Sequence, residues 1–90
     1  MDDPRFEALR ARFRAFCGTE AARLRAHLAG TPEPDLVALV HGLAGAAGTF
    51  GYPQVGDAAV AIDSDLAAGE TPTPEALADL ADRLEALSKT

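Results

Sequence analysis

The stretch His41-Gly-Leu-Ala-Gly-Ala-Ala-Gly-Thr-Phe-Gly51 places one histidine among unusually small neighbours. Near neutral pH an imidazole offers an unprotonated ring nitrogen that can attack phosphorus. Phosphoryl transfer is mostly positioning and charge stabilisation, so a docking partner can supply the remaining machinery. The histidine must then enter that partner's active site, which calls for a convex and unobstructed surface. Ala44, Gly45 and Gly48 remove bulk around His41. That supplies a reason for glycines which each cost a helix interior about 1 kcal/mol relative to alanine.

Other chemistries find little support. No Ser/Cys-His-acid grouping emerges from spacing or shared helix faces. Cys17, His27 and His41 fall on different elements, with neither a Cys-x-x-Cys pair nor a His-Glu-x-x-His helix, so no metal site is expected. A metal-dependent hydrolase built on His41 and Asp63 is the weakest reading. Phosphate-binding and dinucleotide-binding glycine loops are absent, because the glycines lie inside a helical pattern. The chain therefore reads as something other than an independent enzyme.

Four amphipathic segments must position this histidine. Asp3-Pro4 is a helix start, with Asp as N-cap and Pro at the first helical position. Phe6, Leu9, Phe13, Phe16, Cys17, Leu24 and Leu28 then recur at helical spacing to about Ala29. Gly18-Thr19 could kink that helix, and Glu20 leans towards its apolar side. His27, near its end, suits a protonated imidazole facing the negative end of the helix dipole. Cys17 suits a small buried hydrophobe.

The second helix follows Glu33 and Asp35 and runs to about Thr49. Its stripe of Leu36, Leu39, Val40, Leu43, Ala47 and Phe50 is the core face, and His41 points roughly opposite. Gly51-Tyr-Pro53 ends it. A third helix begins near Pro53, with Val55, Ala58, Ala59, Ile62 and Leu66 as its stripe and Gly69 as its stop. After Thr71-Pro-Thr-Pro74, with Thr73 as N-cap, Leu77, Leu80, Leu84 and Leu87 repeat at a/d spacing to about Ser88. The expected fold is all-α, an antiparallel up-down four-helix bundle forming a single domain over residues 1–90. Val37 and Val60 fall outside the buried stripes, on the flanks nearest His41 and Asp63. Together with Ala38, Ala44, Gly45 and Gly48 they form the expected partner-docking surface.

Composition agrees. About twenty alanines and eleven leucines in 90 residues favour closely packed helices. The net charge of -6 and a pI near 4.6 argue against a nucleic-acid or anionic-membrane surface. The charge is uneven: residues 1–30 hold six arginines against four acids, and residues 31–90 hold Arg83 and Lys89 against ten acids. Two solvated faces account for this, with an arginine-rich first helix meeting an acidic partner as the sharper reading. A lone cysteine, no long apolar run and no targeting leader lead to the expectation of a cytoplasmic, monomeric protein.

His41-x-Leu43-x-Gly45-x-x-Gly48-x-x-Gly51, continuing through Val55 and Ile62-Asp63, resembles the signature of histidine-containing phosphotransfer (HPt) domains of bacterial two-component phosphorelays. The resemblance implies that His41 is the phosphoacceptor, exchanging a phosphoryl group with a response-regulator receiver domain, a histidine kinase or both. It implies no cofactor bound by this chain, with Mg2+ in the partner's active site. Asp63 occupies the position of the family's imidazole-orienting side chain, reaching the ring directly or through a water. Many members carry lysine three residues after the histidine, where this chain has Ala44, a loss worth no more than about 1 kcal/mol at an exposed site. An arginine of the first helix is the candidate substitute for that charge. The alternative reading is a non-phosphorylated helical adaptor that docks on and inhibits a kinase or receiver domain.

Overall fold

The computed structural model describes residues 3–90 and contains four helices, α1 (Pro4–Leu28), α2 (Leu36–Phe50), α3 (Pro53–Ala67) and α4 (Pro74–Ser88), with no strand among the described residues. They form an up-down bundle in which α1 packs chiefly on α4 and α2 chiefly on α3. Contact between α3 and α4 is smaller, and that between α1 and α2 is slight. None of these helices is long and apolar enough to cross a membrane.

Local chemistry sets most of the boundaries. Asp3 accepts the Arg5 N–H at 2.8 Å and opens α1. Thr73 does the same for α4 through the Ala76 N–H at 3.1 Å. Gly51, with φ of 82°, closes α2 in the left-handed conformation that lets its N–H and that of Tyr52 reach the Ala47 carbonyl, at 3.0 and 2.9 Å. α1 is continuous through Gly18-Thr19, without the interruption those residues allowed.

The core is built from Phe13, Cys17, Ala21 and Leu24 of α1, Leu39, Val40, Leu43 and Ala47 of α2, Val55, Ala59 and Ile62 of α3, and all four α4 leucines. Of the rest of the expected α1 stripe, Leu28 is half-buried against this core, whereas Phe6, Leu9 and Phe16 are exposed. Their exposure follows from helix length. α1 has 25 residues and each other helix 15, which at 1.5 Å per residue gives about 37 Å against about 22 Å. Gly18 lies opposite Ser88, the last residue of α4, so the first half of α1 runs on past its partner. What covers it there is aromatic: Phe6 stacks on Phe50 at 5.6 Å, and Phe13 on Phe50 and Tyr52 at 5.3 and 5.8 Å.

Ion pairs fasten the longer helix. Arg25 holds Asp82 and, at 2.8 Å, Glu85 of α4, and this keeps the Glu85 carboxyl below its ordinary pKa. Glu20 is only 2 % exposed despite its charge, and Arg23 donates to both its oxygens at 3.1 Å. Arg23 also binds Glu33 in the α1–α2 connector, holding that carboxyl low as well. His27 serves the same connector: its Nδ1 accepts the Glu33 N–H at 3.1 Å. From the last turn of α1, where the sequence places it, the ring thus also anchors the turn into α2.

Candidate functional site

The apolar stripe of α2 turns its other side to solvent, and on that side stands His41, with its side chain 77 % exposed. Close packing of α2 against α3 brings Asp63 to it. Gly56 of α3 is buried, and a Cβ there would lie 3.5 Å from the Ala47 Cβ, so this pair lets the helices approach closely. His41 Nδ1 lies 3.1 Å from Asp63 Oδ2, a direct contact with no need of an intervening water. An ionised carboxylate can only accept, so Nδ1 carries the hydrogen and Nε2 of the neutral ring keeps its lone pair. Asp63 is 28 % exposed, tucked further into the groove than the imidazole it touches.

On the C-terminal side of His41, as far as Gly48, the exposed surface of α2 is built from glycine and alanine. A Cβ added at Gly42, Gly45 or Gly48 would meet nothing within 4 Å. No neighbour within the bundle requires glycine at any of the three.

Two cavities flank this face. One, of about 270 Å³ between α2 and α3, is lined by Ala44, Ala47, Gly48, Tyr52, Gly56, Asp57 and Val60, among others. It gathers three of the expected docking residues, Ala44, Gly48 and Val60. The other, of about 420 Å³ where α1 and α2 meet loosely, is lined by Phe16, Glu20, Arg23, Asp35, Ala38, Leu39, Gly42 and Leu43. Ala38 belongs to this second cavity and so lies on the opposite flank. Val37 and Val60 are both exposed, and Gly45 lies on the open face between the cavities.

The sequence reading passed over Asp57 and Gly56, and took Asp35 only as negative charge at the start of the second helix. The first had a signal, since Asp57, Val60 and Asp63 are spaced by three and so neighbour one another on α3. Gly56 had none, because only the crossing of two helices reveals a close approach.

The hydrogen bonds and ion pairs of the arginines lie away from His41. Among the described residues none is bonded to His41 or Asp63. Arg10 and Arg14 share Glu7, Arg23 and Arg25 hold the carboxylates named above, and Arg83 binds Asp79 and the Gln54 carbonyl. Nor do the described residues group three or more His, Cys, Asp or Glu side chains in a way that could hold a metal ion. Cys17 is fully buried, and burial pushes its thiol up to about 11.

The family model described as the Hpt domain matches residues 8–90. Comparisons with curated proteins and with solved structures give no match.

Proposed function

The chain belongs to the Hpt-domain family, and from that membership we propose that His41 carries the phosphoryl group between a receiver-domain aspartate, or a histidine kinase, and a further receiver. Hpt domains are phosphocarrier modules of two-component phosphorelays, and they interact with response-regulator and kinase components. The observation that supports His41 as the carrier is its contact with Asp63, which leaves Nε2 as the free nucleophile on an unobstructed face.

The step balances within the two active sites. The Nε2 lone pair attacks phosphorus of the donor's aspartyl phosphate, a nitrogen–phosphorus bond forms, and the phosphorus–oxygen bond to the donor carboxylate breaks. No proton need leave, because Nε2 carries none. The ring keeps its Nδ1 hydrogen and gains positive charge, which the Asp63 carboxylate stabilises through the 3.1 Å bond. Return transfer reverses these changes. Mg2+ belongs to the receiver's site in this scheme, and the receiver also supplies charge stabilisation at the phosphoryl oxygens. The cytoplasm is the compartment this function implies.

Incubation with phosphorylated receiver domains and Mg2+ tests the proposal. Wild-type protein gains acid-labile phosphate, and His41→Gln gains none. A chain that binds receivers equally well as His41→Ala, and never gains phosphate, would be a docking adaptor, and the proposal would fall.

A further inference from the structure

The exposed face of α2 is flanked by carboxylates. Asp57 lines the cavity between α2 and α3, Asp35 and Glu20 line the one between α1 and α2, and Asp63 stands at His41. Glu20 is buried and held by Arg23, the one cation in the lining of the two cavities, which also binds Glu33, so Asp35, Asp57 and Asp63 are the carboxylates this face presents. Arg10 and Arg14 reach Tyr52, through its ring at 5.0 Å and its hydroxyl at 3.0 Å, but neither lines a cavity and both share Glu7. Position 44, one turn from His41, contributes only a methyl group.

Within the α2–α3 cavity the walls are apolar and small, from Ala44, Ala47, Gly48, Gly56 and Val60. The Asp57 carboxylate has no hydrogen bond or ion pair from any described residue. An apolar side chain filling this space would take water from the exposed Asp57 carboxylate and return nothing, and a neutral donor would return a hydrogen bond without charge. An acidic side chain would be repelled. A lysine or arginine can lay its methylene stem along Val60 and Ala44 and bring its charge to Asp57.

Resting on the phosphocarrier reading above, we propose that this face selects its receiver domain by charge. The receiver that docks here presents an apolar contact surface flanked by basic side chains, one of which enters the α2–α3 cavity to pair with Asp57. The partner thereby supplies the cation that this chain lacks at Ala44. Charge complementarity of this kind acts mainly on encounter and on rejection of wrong partners, and it fades as salt screens it.

The test uses the source organism's receiver domains, purified and phosphorylated with acetyl phosphate in Mg2+, with His41 phosphorylation by phosphoramidate as a partner-independent readout. With the fastest receiver, Asp57→Lys lowers kcat/KM about tenfold at low ionic strength, mostly through KM, in line with the range of electrostatic steering. Asp57→Asn has a smaller effect in the same direction, and Asp35→Lys also slows transfer. Glu75→Lys makes the same change in net charge on α4, the helix diagonal to α2, and changes transfer less than about twofold, because charge there lies away from the docking face. In about 1 M salt, where screening acts over about 3 Å, the variants converge. Replacing the receiver's basic contact residue by Glu restores transfer from Asp57→Lys. If His41 accepts phosphate while Asp57→Lys transfers as fast as wild type at low salt, selection by charge is overturned and the phosphocarrier reading survives. Preferred receivers with acidic contact faces would overturn selection by charge in the same way. If no donor phosphorylates His41, both readings fall together.

Discussion

Replacing Gly42, Gly45 and Gly48 by alanine separates stability from function. None of the three has a positive φ, and a Cβ at each meets nothing within 4 Å, so alanine fits without strain or clash. Each change then recovers helix propensity of about 0.8–1 kcal/mol, partly by restricting the unfolded chain. Gly45→Ala alone is expected to add about 1 kcal/mol, raising Tm by about 4–8 °C in a domain of this size. The triple variant adds about 2–3 kcal/mol, since no new methyl meets a neighbour beyond its own helix. Thermal unfolding followed by circular dichroism reads this directly. The same proteins are then assayed for transfer from a phosphorylated receiver. Methyl groups on the face around His41 hold the partner away, and displacement of about 1 Å costs up to about a hundredfold in rate. The triple variant is therefore expected to be more stable and at least about tenfold slower. A Tm that stays put or falls would show that the glycines serve the bundle. A stabilised variant with undiminished transfer would refute the claim that they clear an approach for a partner.

Three further outcomes follow from the geometry. Asp63→Ala removes the acceptor for His41 Nδ1; with the imidazole largely exposed, the bond is worth at most about 1 kcal/mol, so transfer slows about fivefold with little change in Tm. Asp63→Asn, whose side-chain oxygen still accepts, loses less. Glu33 and Glu85 have their pKa values lowered in the folded state by Arg23 and Arg25, so their stabilising contribution is full above the ordinary carboxylate value near 4.5 and is lost as pH falls through the folded values. Tm should hold from neutral pH to about 5 and decline below, and Glu85→Gln should flatten that decline. The Cys17 thiol, buried and raised to about 11, should resist a thiol reagent at pH 8 until denaturant unfolds the chain. Rapid labelling of native protein would contradict this burial.

Much of this arrangement is legible in the residues. The α4 stripe, Leu77 to Leu87, is a strict repeat, and all four leucines are buried as the spacing requires. Gly51 and Thr73 mark helix ends through local chemistry that needs no tertiary partner. His41 and Asp63 could be placed on facing flanks of neighbouring helices because α2 and α3 are joined by a short turn. Legibility ends where lengths must be compared. Periodicity assigns Phe6, Leu9 and Phe16 to an apolar stripe but does not reveal that α4 stops opposite Gly18 and leaves them uncovered. Likewise it brings Glu20 to the inward side, while the arginine that neutralises it there is a matter of side-chain reach. The two cavities and the carboxylates lining them arise only once the crossing of the helices is fixed.

Stability is shared unequally between the two halves of the bundle. α1 and α4, which pack on each other, both open with a side-chain cap, and Arg25 ties them together. α2 and α3 lack any side-chain cap bond at their N-termini, and α2 also carries three glycines with no internal purpose. A capping bond is typically worth about 1 kcal/mol, so the site-bearing pair forgoes local stability at both helix starts as well as along one exposed face. It stays folded through its core stripe, from Leu39 and Val40 to Val55 and Ile62, laid against the better-anchored pair. Among the described residues, no neighbour requires the three glycines on the exposed side of α2. On the proposed function, the small side chains and carboxylates around His41 then suit the partner that docks there, where this fold makes no demand for them.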